Sequence, residues 1–92
     1  MELKEFFTRV AKIADAILDS AARHQQAQNL RRQADELREK AIDLERDCEV
    51  DAEVGSFLER LSIPGRRAEA HRLRCMAHAL DQDAIRVEQR AS

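Results

Sequence analysis

Leu3, Phe6, Phe7, Val10, Ile13, Ala14, Ile17, Leu18 and Ala21 recur at three- and four-residue steps. At about 100° per residue this spacing gathers them on one broad face of a helix over roughly residues 3–22. Lys4, Glu5, Arg9, Lys12, Asp15 and Asp19 fill the remaining circumference with mixed charge, so one side should pack and the other stay solvated. The width of the apolar face calls for two neighbours. It is the expected main contributor to the core.

A narrower stripe follows. Leu30, Ala34, Leu37, Ala41, Leu44 and Cys48 keep strict four-three spacing over nearly three heptads, the mark of a coiled-coil-like seam on a long second helix over about 29–50. Two alanines in the stripe would let a partner helix approach closely. Arg31/Asp35, Arg32/Glu36 and Glu36/Lys40 are spaced for i,i+4 pairing on its flanks. On a single straight helix the first stripe and the seam would point more than about 100° apart. The polar stretch Ala22 to Asn29 therefore reads as a bend or short turn with Asn29 as a cap, a kinked continuous helix being the alternative.

Further on, Gly55 weakens helix, and Ser56-Phe57-Leu58-Glu59 has the capping-box pattern, in which Ser binds the N3 amide and Glu reaches back. A short helix is predicted at about 57–61. Pro64-Gly65 suits the two central positions of a tight turn. A last helix over about 66–90 carries Leu73, Met76, Ala77, Leu80, Ala84 and Val87 on one stripe. These elements predict an all-α fold, a single domain over residues 1–92: a small antiparallel helical bundle with a long coiled-coil-like second helix. Small bundles bury a modest core, and a symmetric homodimer is expected through the seam Leu30, Ala34, Leu37, Ala41, Leu44 and Cys48.

Composition supports the helical reading, with two Gly, one Pro and three Phe as the whole aromatic content. The formal net charge of −2 argues against a dedicated nucleic-acid protein. Charge is unevenly spread: residues 1–61 carry ten Lys/Arg and fourteen Asp/Glu, residues 62–92 six and four. Charged residues interrupt the one apolar segment, so no membrane span is expected. Its polar face has no basic rim to favour anionic lipid. Two cysteines without an export signal fit reduced thiols in the cytoplasm.

Arg66, Arg67, Arg72 and Arg74 crowd the start of the last helix with Glu69 as their one local offset. Guanidinium groups favour bidentate contacts to carboxylates or phosphates, and these four are the candidate partner-binding residues. Pairing with the acidic stretch 43–59, within the chain or across a dimer, is expected ahead of phosphate binding. Base stacking is not expected, because Trp and Tyr are missing and the three phenylalanines sit at apolar-face positions. His71, Cys75 and His78 at i, i+4 and i+7 share a helix face, with Cys48 as a conceivable fourth ligand; the spacing permits zinc without diagnosing it. No metal or cofactor is assigned. The chain lacks a phosphate loop, a nucleophile elbow and a His-Glu-x-x-His motif, so an enzyme is not expected.

What survives this subtraction is a small cytoplasmic protein–protein interaction module, a regulator, adaptor or inhibitor that presents helical surfaces to a protein partner. The rival readings are nucleic-acid or nucleotide binding through the Arg66–Arg74 face, and a metal-stabilised helical protein.

Overall fold

Between Leu3 and Val54 there is neither Gly nor Pro, and the chain forms one uninterrupted helix, α1 (Leu3–Val54), of 52 residues. The structure, a computed structural model, describes residues 2–90. A short helix, α2 (Phe57–Leu61), turns the chain, and α3 (Ile63–Gln89) runs back along α1. The molecule is a rod with extents of 81 × 15 × 13 Å, and among the described residues there is no strand. Its helical class is as expected; its shape is a helical hairpin with a long overhang.

No bend interrupts residues 22–29. Their side chains bond along the helix: Gln25 donates to Asn29 at 3.2 Å, and Gln28 and His24 meet at 3.0 Å. Asn29 also accepts from Arg32 at 3.5 Å, so it holds neighbouring turns together where a cap was expected. The stretch is polar because most of its circumference faces water, yet Ala27 within it is fully buried.

Three parallel rows on α1 explain the packing. Ala27, Ala34, Ala41 and Cys48 repeat every seven residues and are all buried, as are Ile63, Ala70, Ala77 and Ala84 on α3 at the same interval. Methyl-sized side chains let the backbones come close, as the 13 Å thinness of the rod requires. On one side of this row Leu30 packs against Ala27, Ala84 and Val87, and Leu37 and Leu44 against Ala41, Ala70 and Leu73. On the other side lie ion pairs. Arg31 meets Glu88 with two hydrogen bonds, Arg38 meets Asp81, and Arg74 meets Glu45 at 2.8 Å through both its oxygens. Arg31 thus reaches across the hairpin, and the Arg31/Asp35 pairing along the helix does not form. The short connection through α2 makes α3 antiparallel to α1, and these cross-helix pairs line the flank of that contact.

The tip follows the capping reading in its Ser56 half, without the return bond from the Glu59 side chain. Gly55 closes α1 with its amide donating to Asp51 at 2.9 Å, and a Cβ there would lie 2.5 Å from the Asp51 carbonyl oxygen. Ser56 caps α2, accepting from the Glu59 amide at 3.3 Å. The expected Pro64-Gly65 turn does not form. Pro64 sits in the first turn of α3, where its missing amide has no partner to lose, and Ser62 carries the reversal, its hydroxyl donating to the Glu59 carbonyl at 2.6 Å.

Two further expectations are corrected. Residues 3–22, read as the main core contributor, form no core: every one of them is exposed, and Ser20 alone lines a groove with α3, beside Glu88. The seam Leu30, Ala34, Leu37, Ala41, Leu44 and Cys48, assigned to a second copy, is covered by α3. The reason is common to both: α3 is long enough to lie beside only the latter half of α1.

Candidate interaction surfaces

α3 ends where Arg23 donates to the Arg90 carbonyl at 3.3 Å. Beyond that point α1 projects alone as an arm, and its large side chains face solvent: Phe6, Phe7, Val10, Ile13, Ile17 and Leu18 are 46–66% exposed. The rings of Phe6 and Phe7 meet edge to face at 5.8 Å. Large apolar side chains this exposed on one helix face form the kind of contiguous patch that marks an interaction surface.

Carried back by heptads, the leucine row 30, 37, 44 becomes Arg23, Ala16, Arg9, while the buried row 27, 34, 41 becomes Ser20, Ile13, Phe6. The row Leu3, Val10, Ile17 runs on into His24, Arg31, Arg38, of which Arg31 and Arg38 meet Glu88 and Asp81 of α3. The apolar face of the arm thus overlaps the side on which α3 lies and stands open because α3 ends at Gln89.

A second apolar patch lies at the tip, where Val54, Phe57, Leu58 and Leu61 are 61–78% exposed. Asp51 and Glu53 precede it. Between the two, an open groove of about 500 Å³ runs along the hairpin between Leu37, Lys40, Met76, Ala79 and Leu80.

Of the four arginines singled out from the sequence, three are paired with acids. Arg66 bonds Asp51 at 2.5 Å, Arg74 bonds Glu45, and Arg72 chelates Glu69 at 2.8 and 2.5 Å. Those bonds raise the pKa of each guanidinium, and they hold Glu45 and Glu69 below the usual carboxylate range. Arg67 lines a shallow groove with His71 and Arg74, but Glu45 and Glu49 line it too. The mixed lining weakens any field for phosphate. Two of the three partners, Asp51 and Glu45, lie in the acidic stretch; the third, Glu69, stands on α3 one turn before Arg72.

His71 and Cys75 touch at 3.6 Å on an exposed face. Cys48 lies buried in the seam, its thiol directed to the Ile63 carbonyl at 3.9 Å, and cannot join the exposed Cys75. Among the described residues no three His, Cys, Asp or Glu side chains converge as a metal site would require, His78 included. Nor is any helix long and apolar enough to cross a membrane. The surfaces missed from sequence are the arm face and the tip patch. The heptad row Ile63, Ala70, Ala77, Ala84 would have revealed them, because it claims the seam for α3 and leaves the first stripe without a partner.

The class defined by this geometry is an antiparallel alanine-rich helical hairpin with a projecting amphipathic arm. No protein-family model, curated protein or solved structure compared with the chain matches it.

Proposed function

We propose that the protein is a protein–protein interaction module, of regulator, adaptor or inhibitor type, in which the hairpin is a stalk and the arm the docking surface. One observation carries this reading: seven large apolar residues, two of the three phenylalanines among them, stand exposed on the arm, while the core is built mainly of alanine. Apolar side chains gathered on one helix face gain free energy only when another surface removes them from water. An open, mostly convex rod offers no walled cavity for a reaction, and a binding role suits it better than a catalytic one.

The reading is tested by placing a photo-reactive residue at Phe7, on the apolar face, or at Thr8, on the opposite side, in the full chain within native extract. Crosslinks that form at Phe7 to one discrete protein species, and not at Thr8, support docking through this face. Equal and unspecific labelling from both positions would sink it. Nucleic-acid binding through the arginine face has less support, since three of its four cations are already matched by carboxylates. That rival predicts low-salt binding lost steeply as salt rises, with a shallower slope after Arg67→Ala.

A further inference from the structure

The hairpin itself shows how a helix lies on α1. Three rows of α1 meet α3: Ala27, Ala34, Ala41 and Cys48 in the middle, Leu30, Leu37 and Leu44 on one flank, and Arg31, Arg38 and Glu45 on the other. All three rows continue onto the arm at seven-residue steps, and their chemistry changes. The middle row runs on as Ser20, Ile13 and Phe6. The ion-pair flank becomes His24, Ile17, Val10 and Leu3, and the leucine flank becomes Arg23, Ala16 and Arg9. A helix laid in line with α3 thus meets an unbroken track on α1, on which the apolar and the charged flanks have changed sides.

Each row sets terms for what lies opposite. Against Leu3, Val10 and Ile17, on the flank where α3 brings Asp81 and Glu88, apolar side chains are required, because a carboxylate pressed there would lose its hydration without gaining a counter-charge. Against Arg9 and Arg23, on the flank where α3 brings Leu73 and Val87, acids are required. Arg23 already reaches across toward α3, donating to the Arg90 carbonyl at 3.3 Å, and Arg9 stands exposed. Ile13 and Phe6 take the places that alanines hold in the hairpin, so the occupant sits near the wide end of ordinary helix spacing, about 10 Å. A second copy of the arm does not meet these terms. Two arms paired antiparallel about their middle row set each flank against its own copy, and the row of Arg9 and Arg23 would face itself.

We infer that the arm receives an amphipathic helix of another protein, antiparallel to α1 and in line with α3, with apolar residues on its middle row and one flank and acids on the other flank, facing Arg9 and Arg23. This rests on the reading of the arm as a docking surface and names the partner's chemistry and direction.

The test uses the full chain with a photo-reactive residue at Val10 or at Ile17, crosslinked in native extract, the captured residues being mapped by mass spectrometry. Both positions should reach one helical segment of one protein. Because that helix runs against α1, the residue captured from Val10 should lie about seven positions after the one captured from Ile17. A synthetic peptide of the captured segment is then the probe. Arg9→Glu should weaken its binding about tenfold or more, and replacing the facing acid of the peptide by Lys should restore binding to that variant. The arm lies outside the hairpin core, so an unchanged thermal transition checks that the variant folds. Captured residues in the parallel order, or scattered over loops and strands, would overturn the inference while leaving docking through the arm intact. So would capture of a second copy of this chain, or an Arg9→Glu variant that binds the peptide as well as the wild type does. Capture of lipid, or labelling no more discrete than that from Thr8, would sink the docking reading along with it.

Discussion

Ala41 shows how little room the seam allows. It is fully buried beside Ala70 and Leu73, and a methyl group of this kind contributes only on the order of 1 kcal/mol of transfer free energy. Its value is in what it excludes. Ala41→Leu should lower the unfolding free energy by about 1–3 kcal/mol through overpacking, measured by urea denaturation, even though it adds apolar surface. A conservative hydrophobic change on the exposed arm should leave the same midpoint unmoved. At the tip, Ser56→Ala removes the acceptor for the Glu59 amide and should cost about 0.5–2 kcal/mol, seen as faster hydrogen exchange at Glu59.

At the scale of elements, the cross-helix ion pairs fix register. Arg31–Glu88, Arg38–Asp81 and Glu45–Arg74 repeat every seven residues on both helices, with the sign reversed at the third rung. A slip of α3 by one heptad one way would set Arg38 against Arg74, and the other way Glu45 against Asp81. Alanine rows alone would tolerate either slip. Glu45→Arg should therefore destabilise the hairpin and Arg74→Glu added to it should restore stability, a coupling that a double-mutant cycle on melting temperature will show. Acid acts on the same rungs. Bonds to Arg74 and Arg31 hold Glu45 and Glu88 below the ordinary carboxylate value of 4.5. Their folded forms thus bind protons less readily than the unfolded chain, so their contribution is complete above that value and is lost as pH falls through it. Thermal melts should be flat from pH 7 to about 5 and drop at lower pH, less steeply in Glu45→Gln and Glu88→Gln.

For the whole molecule, the division of labour is between an alanine-cored hairpin and an arm that folds as helix without tertiary support on its apolar side. An isolated 20-residue helix is marginal in water, and continuity with the packed half of α1 extends it. Amides of residues 27–48 and 63–87 should then exchange slowly under all conditions. Those of residues 3–22, with no packed face, should exchange quickly.

The sequence by itself determined helix nearly everywhere. The absence of Gly and Pro from residues 3–54, the Ser56 capping box and the periodic stripes act through local sterics and hydrogen bonds that each segment carries alone. It also determined the two faces of α1, since their angular offset is a property of one helix. Which face packs inside the chain was decided only by tertiary structure. A seam made of Leu30, Ala34, Leu37, Ala41, Leu44 and Cys48 looks the same whether its partner is a second copy or α3. The choice fell to the reach of α3, the matched alanine rows and the sign pattern of the rungs, all long-range pairings. The same pairings decided that Arg66, Arg72 and Arg74 are matched by acids and that the arm stands free: the strongest apolar stripe lies in the half of α1 that α3 is too short to reach.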